Sequence, residues 1–249
     1  MIRTTLTLLT FALGLQTSFA LDWPQWRGPN RDGVNPEKNL LEKWPEGGPK
    51  LLWRASGVGV GFSSVAASEG ILYTLGDLKD ACYLIALDLK GKHLWKGRVG
   101  EPGGHRKYPG PRSTPTVVDG KVYVLGQQGD LVCFDIKTKK EAWRVNVAKD
   151  FGGSMMSGWR WSESPLIDGD KVVVTPGGSR GTVIALDKNT GKEIWRSKDS
   201  PIELPIPRSS SARSEASGST SNSQATAWQA LMPTMGNYSG KLHARAVPL

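Results

Sequence analysis

The residues best able to grip a ligand fall in three glycine-bearing stretches, GVGVGFSS from Gly57, GGHRKYPGPRS from Gly103 and GGSMMSGWRWSES from Gly152. The last two carry His105, Arg106, Tyr108, Arg112, Trp159, Arg160 and Trp161. Arginine beside aromatic rings can hold a planar anion, a sugar or a peptide strand. Other chemistry is poorly provided for. His93, His105 and His243 have no metal-ligand spacing, and no serine lies in a nucleophile elbow. GVGVGF is like a dinucleotide loop only superficially, because a strand-like run follows it and the third glycine is lacking. The three stretches could equally do no more than seal a fold. What decides the matter is whether the elements around them bring them together.

Those elements repeat. After each stretch comes a polar start, an apolar run and an acid-glycine pair: SSVAASEGILYTLG from Ser63, STPTVVDGKVYVLG from Ser113 and ESPLIDGDKVVVTPG from Glu163, with starts 50 residues apart. Further along each copy is an aspartate, a turn and a tryptophan: ALDLKGKHLW (Ala86 to Trp95), CFDIKTKKEAW (Cys133 to Trp143) and ALDKNTGKEIW (Ala185 to Trp195). Asp88, Asp135 and Asp187 precede Trp95, Trp143 and Trp195 by 7, 8 and 8 residues. A fixed period of this size marks a solenoid, a propeller or an array.

Each copy resolves into four short apolar runs, clearest in the third as SPLID, KVVVTPG, GTVIALD and KEIWRS. Acid-Gly, Gly-Gly and Asn-Thr-Gly separate them, the pattern of an antiparallel four-stranded meander. The predicted fold is all-β, a partial β-propeller of about three four-stranded blades over 51–199, with repeats near 63–98, 113–146 and 163–198. On the outer strand each Trp can lie flat between blades, over the Thr190–Gly191 type of turn, while the Asp accepts backbone N–H bonds within its turn. Trp53, in GGPKLLWRAS, has the same outer-strand context with no strands ahead of it, as if completing a last blade. In a propeller the three glycine-bearing stretches lead from an outer strand to the next innermost strand. They then converge on one channel mouth.

The first 20 residues, with Arg3, an apolar stretch and Ser18-Phe19-Ala20, form a secretory signal peptide. No other stretch is apolar enough to span a bilayer, so a periplasmic or secreted protein is expected. Residues 21–50 read as an N-terminal extended segment. Cys82 and Cys133 are expected as buried free thiols. The net charge of +9 comes from interspersed signs, which gives little support to nucleic-acid binding. From Ser200 the pattern stops, and 200–249 is expected to be a disordered or frameshifted tail. The chain then reads as a truncated copy whose open blade edges invite self-association.

With the repeat, the frame at Ala185 to Trp195 and DWPQWRGPNRDG at Asp22 to Gly33, the sequence resembles the quinoprotein-like, PQQ-binding-like β-propeller repeat family of secreted bacterial proteins. The resemblance covers roughly 21–199. The second copy departs from the motif at Cys133 and Lys139, and the first lacks one turn residue. Such a resemblance implies two kinds of relative: quinoprotein alcohol dehydrogenases holding pyrroloquinoline quinone and calcium, and non-catalytic propellers such as the lipoprotein of the outer-membrane β-barrel assembly machinery. The dehydrogenases cover the quinone with two adjacent cysteines and chelate calcium with Glu, Asn and Asp from different blades. Here Cys82 and Cys133 are 51 residues apart, and no calcium ligand or catalytic base is assignable by motif. The expectation is an exported, non-catalytic binding or scaffold propeller, with no cofactor and with a protein, peptide or saccharide at its channel mouth. The alternative is a quinoprotein alcohol dehydrogenase of the polyvinyl-alcohol type, using pyrroloquinoline quinone with calcium.

Overall fold

A computed structural model describes residues 22–38, 40–155 and 158–197. The expected leader and the expected tail lie outside the described residues. Three antiparallel four-stranded sheets follow one another along the chain. The first comprises β1 (Ala66–Ser68), β2 (Ile71–Asp77), β3 (Cys82–Asp88) and β4 (His93–Gly100). A short hairpin, β5 (Gly104–His105) and β6 (Tyr108–Pro109), stands where the sequence indicated only a connecting loop. The second sheet is β7 (Thr116–Val118), β8 (Lys121–Leu125), β9 (Asp130–Asp135) and β10 (Lys140–Asn146). The third is β11 (Leu166–Asp168), β12 (Lys171–Val174), β13 (Ile184–Asp187) and β14 (Glu193–Arg196). Strand order within each sheet is sequential, so each is a meander, one blade of a β-propeller.

Short-range chemistry explains the meanders. The first turns of two blades are Glu69–Gly70 (φ 50° and 75°) and Asp119–Gly120 (φ 51° and 70°), the doubly left-handed geometry that suits a two-residue hairpin. At the third turn Asp187 Oδ1 accepts the backbone N–H groups of Asn189 (3.0 Å) and Thr190 (2.8 Å) and the Thr190 hydroxyl (2.9 Å). Asp88 Oδ1 likewise accepts Lys90 N–H (2.8 Å) and Lys92 N–H (2.9 Å), and Asp135 Oδ1 accepts both Thr138 N–H (2.7 Å) and its hydroxyl (2.8 Å). Gly91 and Gly191 close two of these turns at φ 80° and 72°; in the second blade Lys139 holds the same left-handed place at φ 59°.

Alternation across the middle blade builds the core. Val122, Val124, Val132 and Phe134 face the first blade and pack with Tyr73, Leu75, Leu84 and Val99. Tyr123, Leu125, Leu131 and Cys133, one residue out of phase, face the third with Val172, Val174, Ile184 and Leu186. Successive strand residues point to opposite faces, so one blade serves two junctions. Both Cys82 and Cys133 are free and buried. Burial raises the Cys133 thiol to about 12, and burial reinforced by Asp77 raises Cys82 as well.

Hydrogen bonds between repeat-equivalent positions lock the inner strands. Ser63 Oγ donates to Ser113 O (2.7 Å), Thr114 N–H to Ser164 Oγ (2.9 Å) and Thr116 Oγ1 to Pro165 O (2.7 Å). The outer strands are tied by a Glu-x-x-Arg pair that sequence reasoning passed over. Arg144, held by Glu141, donates to the carbonyls of Arg98 (2.8 Å) and Val99 in the preceding blade. Arg196, held by Glu193, reaches Phe151 O (3.0 Å) in the same way.

The N-terminal residues are more organised than an extended segment. Trp23 exchanges two backbone hydrogen bonds with Ala67 of β1 (2.8 and 2.9 Å), and Pro24 O accepts Val117 N–H of β7 (2.8 Å). Arg31 then donates to Ser164 O and Pro165 O ahead of β11 (both 3.2 Å). Residues 22–31 therefore form a strap touching the innermost strand of two blades and the approach to the third.

Candidate functional site

Asp77, at the end of β2 and almost fully buried, organises the loop side of the first two blades. Its backbone pairs with Val60 in both directions (2.8 and 2.9 Å), which anchors GVGVGF. Its carboxylate accepts Gly103 N–H (2.7 Å), which anchors the next loop, and both oxygens accept Gln127 Nε2 at 2.9 Å. Buried charge needs such partners. The glycines of GVGVGF serve close backbone approach: a Cβ on Gly59 would come 2.5 Å from Asp77 O. A Cβ on Gly110 would come 2.3 Å from Val60 O, so the two loops touch main chain to main chain.

On this base the three loops meet in an aromatic cluster. His105 and Tyr108 are opposite one another across the β5–β6 hairpin. Trp159 of the third loop stacks on His105 at 4.3 Å and on Tyr108 at 5.8 Å. Phe62 of the first loop meets Tyr108 edge-on at 6.2 Å. The Arg112 guanidinium lies 5.1 Å from the Phe62 ring and 4.9 Å from Trp159, and burial holds its pKa below the usual arginine range. Two of its N–H groups are committed to Tyr108 O (2.7 Å) and Gly110 O (3.2 Å). Arg112 thus locks the hairpin instead of offering a free fork to an anion. Phe62, Tyr108 and Trp159 remain 56%, 49% and 43% exposed, so their rings are available for stacking.

Not all of the sequence candidates gather there. Trp161 is a correction: it is 5% exposed, packs in the core between the second and third blades, and donates its indole N–H to Pro176 O (3.3 Å). Trp159 and Trp161 have opposite environments although only Arg160 separates them. Arg160 is exposed with φ 63°, and Arg106 is exposed at the hairpin tip; neither is drawn into the ring cluster. Phe62 is the member that the sequence did not single out, since it lies among glycines with no charged neighbour.

The outer-strand tryptophans occupy one register, Trp95 opposite Ala86, Trp143 opposite Cys133 and Trp195 opposite Ala185. Trp143 donates its indole N–H to Lys188 O (2.9 Å) in the next blade, and its ring covers Gly191. Trp95 packs between Tyr73 and Phe134, at centroid distances of 6.2 and 6.1 Å. Trp53 covers Gly91 of the first blade, although residues 51–54 are not in a strand.

Three sequential four-stranded meanders, each crossing from its third to its fourth strand by an Asp-anchored turn followed by a Trp in the same register, define a β-propeller repeat protein of the PQQ type. The chain belongs to the PQQ_2 family, described as outer membrane protein assembly factor BamB, which it matches over residues 80–245. It is 34% identical over 110 residues to outer membrane protein assembly factor BamB of Xanthomonas campestris, covering 44% of this chain and 26% of that protein. It is 32% identical over 149 residues to quinohemoprotein alcohol dehydrogenase ADH-IIG of Pseudomonas putida, covering 56% of this chain and 20% of the relative. The quinohemoprotein alcohol dehydrogenase structure from Comamonas testosteroni aligns with 71% of this chain and 27% of its own, at 20% identity and a TM-score of 0.48. The chain thus spans about a quarter or less of each of these relatives.

Cys82 opens β3 of the first blade and Cys133 lies inside β9 of the second; both are buried and free. Among the described residues no three His, Cys, Asp or Glu side chains converge as a metal site, and no helix is long and apolar enough to cross a membrane.

Proposed function

We propose that this chain is an exported, non-catalytic binding propeller that presents the Phe62–His105–Tyr108–Trp159 cluster to a protein, peptide or saccharide, in the manner of an assembly factor. The observation that carries the reading is the meeting of three separate loops in one exposed, rigidly backed aromatic surface. Rings held by Arg112 and by the Asp77 anchor lose little entropy on contact, which favours binding over sealing. The relatives described as outer membrane protein assembly factors favour an extended β-type polypeptide as the first ligand to try. The dehydrogenase reading draws on the Pseudomonas relative, but the separation of Cys82 from Cys133 counts against it.

The test pairs two assays. Peptides from outer-membrane β-barrel strands and neutral oligosaccharides are titrated against the parent and Trp159→Ala, and one class is expected to quench tryptophan emission saturably in the parent alone. Alcohol-driven dye reduction is measured with pyrroloquinoline quinone and calcium supplied, and quinone-dependent turnover would overturn the proposal.

A further inference from the structure

The strap has the character of a bound ligand. Asp22 accepts Ser68 Oγ–H (2.9 Å) and Glu69 N–H (3.1 Å) at the first turn of the first blade. Trp23 and Pro24, adjacent in sequence, bond to β1 and β7, strands of two different sheets. Arg31 ends the run on the carbonyls of Ser164 and Pro165, before the third blade's first strand. Innermost strands have a free edge, and unpaired N–H and C=O groups on such an edge are a template for an extended segment. These contacts are repeat-equivalent, since Ala67 and Val117 are 50 residues apart.

The strap is also held in shape by local bonds of its own. Its own turns, Gln25 O with Gly28 N–H (3.0 Å) and Arg27 O with Gly33 N–H (2.9 Å), fix its shape. Gly28, at φ 80°, lies so close under the Trp23 ring that a Cβ would come within 2.7 Å of it. Gln25 Oε1 accepts from Arg31 (3.1 Å), which aims the guanidinium at the third blade. Burial lowers the Arg31 pKa while Glu163 opposes that shift. A segment that holds its bound shape by local bonds binds with a reduced ordering cost.

We propose that the inner-strand edges of the first two blades and the approach to the third form a peptide-binding track, filled in cis by residues 22–31 and able to take in trans a peptide of the same turn-forming kind, with an acidic residue, Trp-Pro and an arginine seven residues beyond the proline. This site is separate from the aromatic loop cluster and does not rest on the function proposed for that cluster. The strap is then an exchangeable plug. A second copy's N-terminal segment is one natural source of such a peptide.

The test uses the full chain carrying Trp23→Ala and Arg31→Ala, with a fluorescein-labelled peptide of residues 22–33 as probe. The expected result is saturable binding to the double variant, at least about tenfold tighter than to the parent, whose track is filled. A peptide with Trp and Arg replaced by Ala should not bind. Amide hydrogen exchange at Ala67 and Val117, which donate to the strap, should accelerate at least about tenfold in the double variant and return toward the parent rate when the peptide is added. Unchanged protection of those two amides, or accelerated exchange without peptide binding, overturns the proposal. Equal binding of the substituted peptide overturns it too. Should the double variant fail to fold, Asp22→Ala alone is measured by the same exchange experiment, with the same two outcomes.

Discussion

Replacing Gly191 by alanine tests the docking of one blade on the next. Two costs can be worked from the structure. At φ 72° an L-residue is in the left-handed region, which costs about 1–2 kcal/mol for alanine. The new Cβ would lie 2.7 Å from Trp143 Cε3, closer than carbon atoms approach, so the indole must move. That movement strains the Trp143–Lys188 hydrogen bond, and losing it removes about 1 kcal/mol. The sum, about 2–3 kcal/mol, should lower Tm by roughly 4–12 °C for a unit of this size. Differential scanning calorimetry reads the stability, and near-ultraviolet circular dichroism reports the indole. The companion Lys139→Gly relieves a left-handed non-glycine at φ 59°, so it should change Tm upward by a few degrees or leave it level once the added unfolded-state freedom is counted. A loss below about 1 kcal/mol for Gly191→Ala, or a large loss for Lys139→Gly, would refute the argument that these turns are shaped by left-handed backbone beneath a docking ring.

Arg144→Ala should cost about 1–2 kcal/mol in urea melts, because it leaves the Val99 and Arg98 carbonyls without their donor; Arg144→Lys should recover only part, since lysine lacks the fork. Asp187 is held below the usual carboxylate range, chiefly by the Thr190 hydroxyl, Asp88 by the Lys92 N–H and Asp135 by the Thr138 N–H. With folded pKa values below the unfolded one, their stabilisation is complete above about pH 4 and is lost as pH falls through the folded values. Asp187→Asn should therefore flatten the acid limb of a stability–pH curve, and an unchanged limb would count against the turn bonds. Cys82 and Cys133 should react with a thiol reagent at pH 8 only on unfolding, because burial raises both thiols far above that pH; rapid reaction of the native chain would contradict their placement.

The blades were legible because their signals are local. Acid-glycine turns, period-two apolar runs and the Asp-to-Trp spacing act within a few residues, and the 50-residue interval repeats them. Contacts without that locality stayed hidden. Arg31 meets Pro165 across 134 residues, and nothing near Arg31 distinguishes it from a solvated arginine. The Asp77–Gln127 pair joins positions one repeat interval apart through a buried amide, but neither residue belongs to the turn, apolar-run or tryptophan pattern that the repeats share. Trp161 was misplaced because Trp-Arg-Trp is the same to both faces of a loop until packing chooses which ring goes inward. Arg112 packs on the Phe62 and Trp159 rings, and its two internal donations depend on a hairpin that residues 104–109 do not advertise.

The middle blade's two faces carry an addressing rule. Toward the first blade it offers Val122, Val124, Val132 and Phe134, with Gly97 leaving room for the Phe134 ring, since a Cβ there would come 2.4 Å from it. Toward the third it offers Tyr123, Leu125, Leu131 and Cys133, flanked by the large rings of Trp143 and Trp161. The two junctions are thus filled by side chains of different volume, as close packing requires. A blade moved to a different position would meet a face with different side-chain volumes, and such mismatches destabilise packed cores. Side-chain volume thus adds a position-specific layer to the hydrogen bonds that link the inner strands.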